Sequence, residues 1–436
     1  MHNQDYVKWF RNSSPYINAH RDKTFVIAFG GEAVQHPNFA HLVQDIVLLH
    51  SLGIRLVLVH GARPQIDARL QAGNITTRVE AHRRVTDLAA LPAVIEAIGR
   101  TRIQVEAALN QGIASAHLRG AKMQVAGGNF VTARPYGVRN GVDYQHSGEV
   151  RKINAEGIQQ QLQLGGLVLL SPLGYSPTGE IFNLLWEEVA EAAAAALHAD
   201  KLIYLSADDG ILDDNGQLLR ELTVPQATAL LAERAVPDYT LISATRALRQ
   251  VSRAHIISYQ SDGDLLEELF TVDGSGTLVT QQSFENIRLA TIDDVGGILE
   301  LIEPLEQEGI LVRRSRELLE TEIAHFTLIE RDQKIVACAA LYPFTSDHVG
   351  ELACVAVHPD YRHGQRGDKL LQAIEQRARM LGLTQLFVLT TRTAHWFMER
   401  GFVAAAVSEL PPPKQSLYNY QRNSKVFIKR LGNITE

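Results

Sequence analysis

The sequence predicts an α/β domain with an open, mostly parallel sheet, followed by a second domain of α+β class. Three observations support this. Up to about Val279, short runs that are apolar on both faces alternate with helical stretches, as strands covered by helices on both sides do. Beyond Gln281-Gln282-Ser283 the order changes to two helices, two consecutive strands and a late strand–helix–strand unit. The chain has 436 residues, enough for two or three cores, and 45% hydrophobic and 21% charged residues are ordinary for globular domains.

In the first domain TFVIAF is a buried strand ending at Gly30-Gly31, and residues 39–52 have helical spacing that Gly53 terminates. IRLVLVH is a second buried strand, followed by the turn His60-Gly61-Ala62-Arg63-Pro64. GLVLLS, KLIYLS and AHIISY are further strands, and residues 187–197 form an Ala-rich helix. Ahead of them YVKWF mixes apolar and charged side chains, and residues 12–15 have the turn chemistry to close this arm. Such an arm serves docking, oligomerisation or packing on its own subunit. In the second domain helices are expected at residues 295–308 and 316–325. FTLIE and KIVACAALYPF then pair across Arg331-Asp332-Gln333. ELACVAV, a helix over residues 368–381, QLFVLTT and a last helix over residues 395–400 complete the order. Pro411-Pro412-Pro413 reads as a stiff connector.

A net charge of −7 gives no reason to expect nucleic acid as a partner. Cys338 and Cys354 are the two cysteines; they exclude a disulfide framework and read as buried apolar side chains. MHNQDYVKWFRNSSPY contains no apolar run of signal-peptide length. The longest apolar stretch, residues 189–197, is interrupted by Glu191 and is too short to span a bilayer. A cytoplasmic protein without a membrane partner is therefore expected. The sixteen histidines form no ligand-spaced cluster, so no metal is expected, and His60 and His395 read as structural.

Chemistry concentrates in GELACVAVHPDYRHGQRGDKLL, residues 350–371. A strand ends at His358-Pro359, a Gly- and Arg-rich loop follows, and a helix begins. Such a junction offers free backbone N–H groups and the positive end of a helix dipole to an anion. Arg362, Arg366 and Lys369 add charge, although an ordinary connection with solvated cations would look the same. The stretch resembles the acetyl-CoA signature of the GNAT N-acetyltransferases, V-x-P-x-Y-R running into R-x-x-G-x-G/A. Arg362 and Gly367 match the loop's ends, Gln365 stands at its middle glycine, and Gly364 is displaced by one. HWFMERGF resembles the family's second motif, A-x-x-x-Y-E-x-x-G-F, with Phe397 at the tyrosine.

This resemblance spans residues 287–431 and implies acetyl transfer from acetyl-CoA to an amine. It implies that Arg362, Gly364, Gln365, Arg366, Gly367, Asp368 and Lys369 hold the cofactor's phosphates. It further implies a splayed strand pair, with pantetheine bonded to backbone at Val355 and Val357 and an oxyanion donor near Cys354 or Val355. Glu351, at the start of that strand, is the candidate base. Arg313, Arg314, Arg316, Arg392 and Lys425 are cations on the acceptor side. Of these, Arg316, Arg392 and Lys425 are the candidates to bind a dicarboxylic amino acid, with Tyr418 and Tyr420 shaping the pocket.

The first domain resembles the amino-acid kinase family, acetylglutamate kinases in particular. FVIAFGG stands for K-x-G-G, with Ala28 at the lysine. VLVHGARPQI stands for V-H-G-G-G, with Ala62-Arg63 at two glycines. IFNLLWEEVAEAAAAAL stands for N-A-D-x-x-A with Leu185 at the aspartate, and SADDGIL for T-D-V-x-G-V with Ala207 at another acid. The resemblance implies the fold without phosphoryl transfer, and so without ATP. LLEELFTVDGSGTLV resembles the arginine-binding segment of arginine-inhibited acetylglutamate kinases. It implies Glu268 as partner of a guanidinium, Gly274 and Gly276 through backbone carbonyls, and Lys201 for the effector's carboxylate. A YVKWF helix there completes both the site and a hexameric ring.

A silent amino-acid kinase domain followed by a GNAT domain resembles the bacterial N-acetylglutamate synthases. This implies L-glutamate as acceptor, L-arginine as feedback inhibitor and a homo-oligomer, at the entry to arginine biosynthesis. The expected division is an arm at residues 1–20, a kinase-like regulatory domain at 21–280, a linker at 281–286 and the acetyltransferase domain at 287–436. The residues leave open a GNAT enzyme that acetylates another amine, or a non-catalytic arginine sensor.

Overall fold

The structure, a computed structural model, describes residues 3–113, 123–271, 274–281, 285–331, 334–361, 366–416, 418 and 424–432. The chain divides into two compact units, Met1–Gln282 and Ser283–Glu436.

The first unit is built on an eight-stranded sheet. Its strand order is Glu221–Thr223, Thr277–Thr280, Arg253–Ser258, Lys201–Ser206, Thr24–Phe29, Arg55–His60, Gly166–Leu170, Gln124–Ala126. From Arg253–Ser258 to Gln124–Ala126 every pairing is parallel, whereas Thr277–Thr280 runs antiparallel to Arg253–Ser258 and parallel to Glu221–Thr223. Alternation along the strands feeds two cores. Val26, Ala28, Val57, Val59, Leu202 and Tyr204 face one; Phe25, Ile27, Phe29, Leu56, Leu58 and Ile203 face the other. Helices Trp186–Leu197 and Tyr239–Ala247 cover the first face, and Phe39–Ser51 and Asp264–Phe270 the second. Each Val, Leu, Ile or Phe side chain taken out of water contributes about 1.5–3 kcal/mol, which is why these runs are apolar throughout.

Three features of this unit differ from the sequence expectation. The leading helix does not close at residues 12–15 but runs Asn3–His20 with Pro15 inside it. Its second half packs: Tyr16 and Ile17 lie on the core, and the His20 ring sits 5.3 Å from Phe25 and 5.7 Å from Phe270. That burial outweighs the turn preference of the sequence. A 23-residue helix, Leu91–Ile113, was not legible because its partners change along its length. Val94 and Ile98 pack on Ile66 and Leu70, whereas Val105 and Leu109 join the sheet's core. A four-stranded sheet, Ile181–Asn183, Leu173–Tyr175, Val131–Pro135 and Gly148–Ile153, is made of short segments, with Leu173–Tyr175 pairing to Val131–Pro135 across intervening strands and a helix.

The second unit carries a seven-stranded sheet in the order Glu285–Leu289, Phe326–Arg331, Lys334–Phe344, Val349–Val357, Gln385–Thr390, Lys425–Arg430, Val403–Ala405. Pairing is antiparallel as far as Val349–Val357, parallel from there to Gln385–Thr390, and antiparallel again beyond. The parallel pair is joined by the helix Arg366–Met380. Lys425–Arg430, absent from the sequence reading, enters between two earlier strands and buries Val426 and Phe427. The expected connector at residues 411–413 instead opens a short helix, Pro412–Ser416. Proline is tolerated in a helix's first turn, where its missing N–H would have no partner anyway. Asp332 and Gln333 of the expected turn, and residues 282–284 of the expected linker, lie outside the described residues. Among the described residues no helix is long and apolar enough to cross a membrane.

His60, at the end of its strand, is wholly buried, between Gly61 O at 3.0 Å and the Ser171 hydroxyl at 2.8 Å. Burial holds its pKa down at about 4, from an ordinary value of 6.5. The unfolded chain therefore takes up a proton below pH 6.5 that the folded chain refuses. The stability from neutral His60 is complete above pH 6.5 and is lost as pH falls toward 4. Asp45 and Glu191, whose burial raises their carboxyls to about 7, act in the opposite sense, so the test compares single variants. Relative to His60→Asn, the wild-type chain is expected to lose about 3 kcal/mol of unfolding free energy between pH 7 and pH 4. Denaturant unfolding at several pH values measures it; parallel curves would reject it.

Candidate active site

In the second unit the strands Val349–Val357 and Gln385–Thr390 part early. Their pairing covers only Val349–Glu351 against Gln385–Phe387. On its other edge the first strand keeps its partner, but with a register shift, and Cys354 takes a left-handed backbone at φ 50°. Two residues of this strand thus oppose one of the neighbour, a bulge that bends it away from the parallel strand. Residues 352–357 are left with one strand edge turned into the gap, carrying backbone groups for an extended amide chain such as pantetheine. Val355 and Val357 alternate with the buried Cys354 and Ala356 along it.

Glu351, the last residue before the strands part, lines a cavity of about 280 Å³ with Arg313, Arg314, Glu322, Tyr342 and Lys414. The Lys414 ammonium lies 2.7 Å from Glu351 Oε1. Tyr342, opposite Glu351 across the hairpin, donates its hydroxyl to Glu322 Oε2 at 2.5 Å. Burial, and then the Glu322 carboxylate, raise the Tyr342 pKa, so the phenol keeps its proton at neutral pH. Burial works against the charge of Arg314, but the anionic and polar groups of Cys354, Tyr342 and Glu322 outweigh it and raise its pKa. The arrangement can hold carboxylates on the cations and place an amine at Glu351.

The remaining sites expected in this unit fall in several places. Arg316 is exposed and pairs with Glu320 at 2.9 Å; Arg392 is exposed, 3.7 Å from Glu308; Lys425 is exposed at the start of its strand. None of the three lines the cavity with Glu351. Arg366 is buried, and its Nε donates to Glu285 Oε1 at 2.5 Å; Lys369 reaches Glu285 Oε2 at 3.2 Å. Asp368 is bonded to Arg400, whose guanidinium lies 4.2 Å over the Trp396 ring. A Cβ at Gly367 would stand 2.9 Å from that ring, so glycine lets the two motifs pack together. Phe397 is buried between Trp396 and Phe402. Tyr418 donates to Ser424 O at 2.6 Å. Arg362, Gly364, Gln365 and Tyr420 lie outside the described residues.

In the first unit the structure brings Lys201, Glu268, Gly274 and Gly276 together around a residue the sequence reading missed, His255. Burial first, then the Lys201 charge, lower the His255 pKa to about 4. The neutral ring therefore donates one N–H and accepts at the other nitrogen. Nδ1 is 2.6 Å from Glu268 Oε1, and Nε2 is 3.3 Å from the Lys201 ammonium. Glu268 Oε2 accepts from Ser275 N at 2.8 Å and Gly276 N at 3.0 Å. Burial would raise the Glu268 pKa, but the bonds from His255, Gly276 and Ser275 win and hold it below its ordinary value. Gly274, at φ 64°, makes the turn, and its carbonyl accepts from Arg220 at 3.0 Å. His20, at the end of the leading helix, bonds to Leu269 O at 2.8 Å.

At the carboxyl ends of the central strands, where open α/β sheets hold their ligands, a tryptophan occupies the space. Trp186 Cδ1 would be 2.8 Å from a Cβ at Gly61, and its ring also faces Gly30. Ala28 is fully buried within its strand, and Leu185 is the N-cap of Trp186–Leu197. The tryptophan follows Leu185 directly, but its sequence position gave no sign that it would lie across both glycine turns.

Residues 23–258 match the amino acid kinase family, and residues 297–402 match the acetyltransferase (GNAT) family. The amino-acid acetyltransferase of Azotobacter vinelandii is 60% identical over 432 residues, covering 98% of this chain and 100% of that protein. That of Pseudomonas aeruginosa is 58% identical over 431 residues, again 98% and 100%. Among solved structures, N-acetylglutamate synthase from Neisseria gonorrhoeae complexed with coenzyme A and L-arginine matches with a TM-score of 0.85 at 38% identity. It covers 98% of this chain and 100% of its own. The same enzyme complexed with coenzyme A and N-acetyl-glutamate matches with a TM-score of 0.63. With a kinase-type parallel sheet in one unit and a bulged, splayed sheet in the other, this chain belongs to the family of amino-acid acetyltransferases, acyltransferase enzymes that join an amino acid kinase fold to a GNAT domain.

Proposed function

We propose that the chain transfers the acetyl group of acetyl-CoA to the α-amine of L-glutamate, giving N-acetyl-L-glutamate and CoA, the entry step of arginine biosynthesis. The observation that carries this reading is the cavity in which Glu351 stands among Arg313, Arg314 and Lys414 where the strands part. A free amine attacks the thioester; an ammonium does not. Glu351 takes the first proton, directly or through water. The nitrogen then bonds to the carbonyl carbon, the C–S bond breaks, and a second proton from the nitrogen ends on the sulfur. The bulged strand would hold the pantetheine, with an N–H near Cys354 or Val355 facing the carbonyl oxygen.

In the same reading L-arginine inhibits by binding near Lys201, His255 and Glu268 in the kinase-like domain, whose own chemistry is silent. Support comes from Ala28 and Leu185 at the charged kinase positions and from Trp186 across the glycine turns. The leading arm at residues 1–20 would complete a cytoplasmic hexamer, with 21–280 regulatory, 281–286 linking and 287–436 catalytic. The test is thiol release from acetyl-CoA by the purified chain, with glutamate and with a panel of other amines, each with and without arginine. Glutamate-dependent release that arginine suppresses is expected. Release with another amine and none with glutamate would give the acceptor to that amine, and arginine binding without any release would make the chain a sensor.

A further inference from the structure

The pairing of Lys414 with Glu351 places a cation on the oxygen that the reaction needs. Both side chains are largely out of solvent, 24% and 10% exposed. The helix that carries Lys414 is fixed at its base, because Gln415 Nε2 donates to Ser408 O at 3.0 Å and to Leu410 O at 2.7 Å. The flexible four-carbon stem of the lysine is free to change partner while its backbone stays in place. Among the described residues the cavity's three cations, Arg313, Arg314 and Lys414, outnumber its carboxylates, Glu322 and Glu351, by one, and Glu322 is already bonded to Tyr342.

We propose that Lys414 determines specificity: it pairs with Glu351 and moves to the side-chain carboxylate of the amino-acid substrate when that substrate enters. The proposal rests on glutamate as the acceptor and adds how the site rejects neutral amino acids. With the α-carboxylate of either amino acid on Arg313 and Arg314, glutamine, whose side chain is neutral, can bring its ammonium to Glu351 only by leaving the largely buried Lys414 side chain without a counter-charge. Glutamate exchanges partners instead. Its ammonium goes to Glu351, its side-chain carboxylate goes to Lys414, and its single net negative charge matches the cavity's excess cation. Removing one charged hydrogen bond from such a complex weakens it about 10- to 100-fold.

The experiment measures steady-state CoA release by the full chain with glutamate and with glutamine, for the wild type, Lys414→Met and Lys414→Arg. Lys414→Met is expected to raise the KM for glutamate at least about tenfold and to narrow the glutamate-over-glutamine preference in kcat/KM by a similar factor. The KM for acetyl-CoA should stay within about twofold, and Lys414→Arg should recover most of the preference. An unchanged preference in Lys414→Met, or equal losses with both amino acids, would overturn the role of Lys414 and leave the acceptor assignment standing. A wild type without glutamate-dependent release would instead overturn the acceptor and this inference with it. Circular dichroism shows whether Lys414→Met is folded; if it is not, Lys414→Gln is read by the same criteria.

Discussion

Glu351→Gln is expected to slow acetyl transfer by about 10²- to 10⁴-fold while the KM for acetyl-CoA changes little. The size follows from what the amide cannot do. Glutamine has nearly the same shape, so the strand, the cavity wall and the backbone that would hold pantetheine keep their places. It cannot take a proton from the substrate ammonium, and at neutral pH almost all of the amine is in that form. The position of Glu351 favours such a selective effect. The side chain sits at the last paired residue before the strands part, so it faces the cavity while its backbone remains within the sheet. Initial rates over a matrix of both substrates separate the two parameters. A kcat within threefold of the wild type would remove Glu351 from proton transfer; an equal loss in acetyl-CoA affinity would show that it supports the cofactor site. Raising the pH should recover part of the variant's rate, because more of the amine is then free without help.

Glu268→Gln should raise the arginine concentration needed for half-inhibition by at least about tenfold. The carboxylate accepts from His255 and from the backbone N–H groups of Ser275 and Gly276. Glutamine keeps an oxygen for the two backbone donors, so the turn at Gly274 should survive. What it loses is the negative charge that a guanidinium needs, together with the counter-charge at the far end of the chain Lys201–His255–Glu268. Glu268→Ala would be a poorer probe: it strands three buried donors, at about 1–3 kcal/mol each, and mixes instability with lost binding. Inhibition curves at fixed glutamate and acetyl-CoA, with a thermal melt as control, make the measurement. An unshifted curve in a folded variant would move the arginine site elsewhere.

Much of the architecture could be read directly from the residue order. TFVIAF, IRLVLVH, GLVLLS, KLIYLS and AHIISY all became strands, as short runs that contain β-branched residues and are apolar on both faces do in a sheet covered on both sides. The glycine- and arginine-rich junction before the helix and the HWFMERGF segment pointed to acetyl-CoA, and the loss of charge at Ala28 and Leu185 pointed away from phosphate transfer. The end of the leading helix was not legible. Residues 12–15 have turn chemistry, and the packing of Tyr16, Ile17 and His20 on the core carries the helix through them.

The sites divide in the same way. A carboxylate at the start of the splayed strand is a matter of local order, and so Glu351 could be named from the sequence. Its partner Lys414 could not: it follows a proline run that looked like a connector, and the cations chosen before it, Arg316, Arg392 and Lys425, do not line the cavity. Likewise Lys201 and Glu268 were named from the sequence, while His255, which joins them in the structure, was hidden inside an apolar strand. Strand and helix follow from periodicities a few residues long, and signature loops from short fixed spacings; both are properties of neighbours in the chain. Which charge meets which, where a bulge at Cys354 opens a strand, and which ring lies across Gly30 and Gly61 are decided by packing between segments far apart in sequence, and no local pattern encodes that geometry.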